Sequence, residues 1–211
     1  MPMRSGWRFW AARWRVLRLT AALMLGSGIG AYVYAESLEG VLGPAVAQVF
    51  AKIGAGDGVL PSGSELFIRI LLSNLLAAVF AIAGGVVFGL LPLWSAVLNG
   101  ALIGFLLAKT AEQGFSPAAM FVYGILPHGL FELPAMILAA AYGLVIGGAV
   151  LRSLVGRVVG RRDDRFSAGW RAIAGAFWPT IIAIVSLLIV AAAVESFVTV
   201  PLVERAFRAG R

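Results

Sequence analysis

The chain contains five runs of roughly 20 predominantly apolar residues, and these limit its fold more than any single motif does. The first is "LTAALMLGSGIGAYVYA" and the last "IAGAFWPTIIAIVSLLIVAAAVESF". At about 1.5 Å per helical residue, each is long enough to cross about 30 Å of hydrocarbon. Backbone N–H and C=O groups in hydrocarbon must be satisfied within the protein, which restricts spanning structures to helices and closed barrels. The runs are continuous and lack the apolar–polar alternation of barrel strands, so helices are implied. With 61% of its 211 residues hydrophobic, the chain is also too apolar for an ordinary water-soluble domain of this size. The expected fold class is all-α, a polytopic membrane helix bundle of about five transmembrane helices plus short interfacial helices.

The predicted organisation is a basic, aromatic cytoplasmic arm over residues 1–15, a membrane bundle over 16–198 and a polar tail over 199–211. The predicted spans are 16–35, 66–91, 93–109, 130–151 and 173–197. The arm combines Arg4, Arg8, Arg13 and Arg15 with Trp7, Trp10 and Trp14, which suits a helix in the headgroup region. Apolar sequence runs on from Val16 for longer than a signal-peptide core, so the first span is expected to be retained. Residues 36–65 are polar; "LEGVLGPAVAQVFAKI" fits a short amphipathic surface helix, and "GAGDGVLPSGS" is loop chemistry. Pro92 is expected to stop the second span and open a tight hairpin into the third. The apolar stretch from Pro117 to Leu151 is too long for one simple crossing. It is therefore divided into a short helix over 118–126, interfacial or re-entrant, and a fourth span from Leu130.

Arginine placement predicts orientation. The arm with Arg18, and the segment 152–171 with its six arginines, are richer in basic residues than the opposite side. The positive-inside rule then puts the N-terminus of a multi-pass membrane protein in the cytoplasm. The net charge of +7 points to anionic lipid of the bilayer as the partner and not to nucleic acid. Absence of cysteine excludes disulfides, thiolate metal sites and cysteine nucleophiles.

Glycines recur four apart in the spans, at Gly26 and Gly30, Gly85 and Gly89, Gly100 and Gly104, and Gly143 and Gly147. Such spacing lets helix backbones approach closely. Packing within one chain is the simpler use, and a homo-oligomer is left open. Asn74, Asn99, His128 and Glu132 are the polar side chains that stand out in the apolar runs, each needing a protein partner or a wet cavity. In "YGILPHGLFELPA", Pro127, Gly129 and Pro134 predict a helix break, with His128 and Glu132 one turn apart at the start of the fourth span. At that depth, Asn74 is expected to be nearer to them than Asn99.

One histidine and one nearby glutamate fall short of the usual three-ligand zinc site, so neither a metal nor a cofactor is expected. No G-x-S-x-G elbow accompanies His128. A non-enzymatic role is the expectation, with a small transporter or channel using the His/Glu pair as the alternative.

"NGALIGFLLAK" followed by "ILPHGLFELPAMILAAAYGLVIG" resembles the stage II sporulation protein M family. The matching positions are Asn99, Gly100, Pro127, His128, Gly129, Glu132, Pro134 and Gly143. The resemblance implies a small polytopic inner-membrane protein that serves as scaffold or partner for peptidoglycan-remodelling hydrolases, which carry the chemistry themselves. It assigns no reaction to His128 or Glu132.

Overall fold

The computed structural model describes residues 2–53, 62–159 and 164–208. Residues 54–61 of the predicted loop, 160–163 of the basic segment and 209–211 of the tail lie outside the described residues. All regular structure among the described residues is helical: α1 (Pro2–Ala11), α2 (Trp14–Val33), α3 (Ala35–Ile53), α4 (Gly63–Ala83), α5 (Leu90–Glu112), α6 (Pro117–Ala119), α7 (Leu126–Val158), α8 (Asp164–Val194) and α9 (Val200–Arg208). Five continuous segments are long and apolar enough to cross a membrane: Trp14–Val33, Gly63–Val86, Leu90–Glu112, Pro117–Val158 and Ser167–Val203.

Helix α7 is the central post and packs against α2, α4, α5 and α8. Its sequence explains this position. Ala135, Ala139, Ala140, Ala141, Gly143 and Gly147 keep its girth small, so several neighbours approach at once. In the bundle centre Met24, Ala78, Ala81, Ala135, Met136, Ala139, Ile184 and Leu188 form one buried cluster drawn from α2, α4, α7 and α8. Large exposed side chains such as Leu25, Leu76, Val79 and Ile182 form the outward, lipid-suited surface.

The α4–α5 hairpin turns earlier than the sequence predicts. Helix α4 ends at Ala83, a 3-10 turn covers Gly84–Val86, and α5 begins at Leu90 after Phe88 and Gly89 with φ of 54° and 82°. Those left-handed residues reverse the chain, and Gly89 takes this conformation without the steric cost a side chain adds. Pro92 lies in the first turn of α5, where its missing N–H leaves no intrahelical gap, so it does not stop a helix.

The turn also fixes the level of α7. A Cβ on Gly85 would strike the backbone of Gly143, and one on Gly147 would strike that of Gly89. The turn thus lies beside α7 near Val145. His128 is about 25 Å along α7 from that level, close to the other end of a 30 Å span, while Arg152 and Arg157 extend about 10–18 Å beyond it on the turn side.

Two crossings hold the first span and the arm. Gly28, Gly100 and Gly104 let α2 and α5 touch backbone to backbone, whereas a Cβ on Gly26 or Gly30 meets nothing within 4 Å. The arm packs onto α8: Phe9 is buried with Tyr142, Ile173 and Ala176, and the Trp10 indole N–H donates to Thr180 Oγ1 at 3.0 Å. Helix α3 leaves α2 at Tyr34 and packs Ala35 and Leu42 against Phe105 and Ala108 of α5. Lys109 pairs there with Glu39, and with Glu112 at 2.7 Å.

Candidate functional site

Three ionisable side chains, His128, Glu132 and Glu195, converge where α7 begins and α8 ends. His128 and Glu132 project from one face of α7, four residues apart, with Nε2 3.8 Å from Oε2. Facing them, Glu195 comes from a π-helical turn, Glu195–Thr199, that links α8 to α9. One donor atom from each of His128, Glu132 and Glu195 lies within 4.8 Å of the others. Thr199 closes the group from the same turn, its Oγ1 3.4 Å from His128 Nδ1. With the ring proton on Nδ1, His128 donates to that hydroxyl, and the Nε2 lone pair faces the carboxylate of Glu132.

The local sequence builds this corner from widened turns. A second π-helical segment, Met120–Ile125, directly precedes α7. The predicted break at Pro127, Gly129 and Pro134 is replaced by this widening, and α7 runs unbroken through all three positions. Pro127 lies at the start of α7, where the lost amide is cheap. Pro134 lies inside the helix on an exposed face, leaving the Leu130 carbonyl without its usual amide partner and little else changed. Gly129 is buried, but an added Cβ would reach only flexible side chains at 3.6 Å or more, so the position marks no close approach. At Gly124 a Cβ would press on the flexible Met120 side chain of the preceding turn at 2.6 Å, while Val203 of α9 would stand at an ordinary contact distance of 3.4 Å. Likewise, the separate helix predicted over 118–126 is continuous with α7 through α6 and the π-helical segment.

Neither asparagine bonds to this group. Asn99 turns back on its own helix, donating to the Ser95 carbonyl at 2.8 Å, and lies toward the hairpin end of α5. Asn74 is half-buried on α4. The groups that join His128 and Glu132 are Glu195 and Thr199, which the sequence assigned to no site. The signal for Glu195 was present: it is the carboxylate that interrupts "LLIVAAAVESFVTV", at the helix end that an antiparallel α8 brings beside the start of α7.

No solved structure matches the chain. An uncharacterized protein of Methanocaldococcus jannaschii is 32% identical over 87 residues, 41% of this chain and 48% of the relative, so the match spans about half of the relative's length. A family profile described as Stage II sporulation protein M matches residues 19–200. That match runs from the first turns of α2 to the start of α9 and takes in His128, Glu132, Glu195 and Thr199, and by its extent the chain belongs to the stage II sporulation protein M family.

Proposed function

We propose that the chain is a non-enzymatic scaffold that gathers cell-envelope proteins, peptidoglycan hydrolases among them, in a bacterial cytoplasmic membrane with its N-terminus in the cytoplasm. The family match over residues 19–200 is the observation that carries this reading. Helix order adds support for the orientation, since the arm and Arg152, Arg157 and Arg171 of the arginine-rich segment share the end of the bundle that holds the α4–α5 turn. Crosslinking in native membranes followed by identification of the captured proteins is the test. Recovery of peptidoglycan-remodelling proteins in several growth conditions is expected, and their consistent absence would overturn the role.

A small transporter or channel is the second reading, favoured by the meeting of His128, Glu132 and Glu195 between two spans. Purified H128Q and E132Q discriminate in liposomes. Loss of a proton or cation flux that the unaltered chain supports, with partner capture intact, would displace the scaffold reading.

A further inference from the structure

We propose that His128, Glu132 and Glu195 bind one divalent transition-metal cation of the zinc class, tying the start of α7 to the end of α8. The inference does not depend on the scaffold role.

The first observation is convergence. Three donor atoms, two from α7 and one from the π-helical turn that follows α8, lie within 4.8 Å of one another, and His128 Nε2 is already 3.8 Å from Glu132 Oε2. Ligands around a zinc ion, at about 2.0–2.2 Å each, are about 3.4 Å apart in a tetrahedral shell, so side-chain adjustments of about 1 Å complete the site.

The second is charge. In their ionised, metal-ligating form the two carboxylates beside a neutral imidazole would carry two negative charges in a protein-lined site within the apolar spans, an arrangement that is expensive without a counter-charge. Among the described residues no lysine or arginine pairs with Glu132 or Glu195. The ion pairs at this end are Arg69 with Glu65, and Lys109 with Glu39 and Glu112. A divalent cation brings the group to neutrality.

The third is the outer contact of the histidine. A ligating imidazole commonly donates its other N–H to a neighbouring acceptor, which fixes ring and tautomer. Thr199 Oγ1 stands 3.4 Å from Nδ1 and leaves Nε2 aimed at the carboxylates. Imidazole with carboxylates is a donor set for Zn, Mn, Fe or Co more than for Ca or Mg, which favour all-oxygen shells. Three protein ligands leave a fourth position open to water or a partner's side chain.

The test uses the full chain in nanodiscs, stripped with a chelator, incubated with zinc chloride, passed through a desalting column and assayed for metal by mass spectrometry. About one zinc per chain is expected, falling below about 0.1 in H128Q, E132Q and E195Q but unchanged in E112Q. T199V is expected to bind about 10–100-fold more weakly while keeping all three ligands. Cobalt substitution gives a readout that needs no variant, since a site of this kind shows the visible bands of a four- or five-coordinate ion. A wild-type chain without bound zinc or cobalt bands, or folded E132Q and E195Q that retain full binding, would overturn the proposal.

Discussion

Adding one methyl group at Gly104 is expected to weaken the α2–α5 crossing. A Cβ there would meet the Gly28 carbonyl oxygen, and would lie 2.7 Å from the Gly28 carbonyl carbon and 3.0 Å from its Cα. Ordinary contact begins near 3.4 Å, so the two backbones must separate by at least about 0.7 Å, with no flexible side chain to absorb the clash. A gap of that order forfeits about a quarter to a half of the dispersion energy of each contact along the crossing. Overpacking of this kind costs about 1–3 kcal/mol, a factor of roughly 5–150 in the unfolding constant. The usual helix-propensity gain of Ala over Gly does not offset this, because separated spans in micelles remain helical and the gain appears in both states. Gly26 and Gly30 are internal controls on the partner helix α2, open for 4 Å around, and G26A or G30A is expected to change stability by less than about 0.5 kcal/mol. The measurement is reversible unfolding in mixed micelles followed by tryptophan fluorescence. G28A should be non-additive with G104A, since helices already forced apart accept the second methyl more cheaply. A G104A protein as stable as G26A would refute the backbone-contact account of this crossing.

Further outcomes follow from the same geometry. Y142F removes a hydroxyl that donates to the Ile173 carbonyl at 2.6 Å from a fully buried ring, and is expected to cost about 0.5–1.5 kcal/mol in the same unfolding assay. W10F deletes the bond to Thr180 and should release α1 from α8, read as faster tryptic cleavage at Arg13 and Arg15 with the bundle itself intact. G89A places a side chain at φ 82° and is expected to cost about 1 kcal/mol or more, partly from contact with Leu144 at 3.3 Å; an unchanged midpoint would argue against the left-handed turn. The chain has no native cysteine, so single cysteines at Gln113 and Ser153 should label from opposite sides of sealed vesicles, as their positions at opposite ends of the bundle require.

Hydropathy made the helices legible because each span must bury its backbone and present apolar side chains along its whole length. Joints and faces were less legible. Four-residue glycine spacing shows that a narrow face exists but not which neighbour it meets; in α2 the contact belongs to Gly28, about 200° around the helix from Gly26 and Gly30. Pro92 looked like a helix stop because proline usually is one. Gly84, Gly85 and the left-handed Phe88–Gly89 pair turn the chain instead, and the proline falls in a first turn where it is harmless. His128 and Glu132 stood out because they share one helix face within an apolar run. Glu195 joins them across a long sequence separation, and an acid near the end of a span is by itself an ordinary interfacial residue.

The two π-helical segments account for what binary patterning missed. Each adds a residue to a helical turn and rotates everything beyond it by about 100° relative to an uninterrupted α-helix. One lies just before His128, and the other carries Glu195 and Thr199 themselves. Both are at the same end of the bundle, where α9 packs against the first of them. A joint that only had to bend two spans needs neither an imidazole nor two carboxylates, since hydroxyls bonding back one turn satisfy such places at lower cost, as Ser196 does with the Ala192 carbonyl at 2.7 Å. Widened turns and ionisable groups coincide at one corner of a bundle otherwise built from alanine, glycine and leucine. That coincidence is the physical ground for placing function there, and the P-H-G-x-x-E-x-P stretch of the family resemblance lies in the same corner.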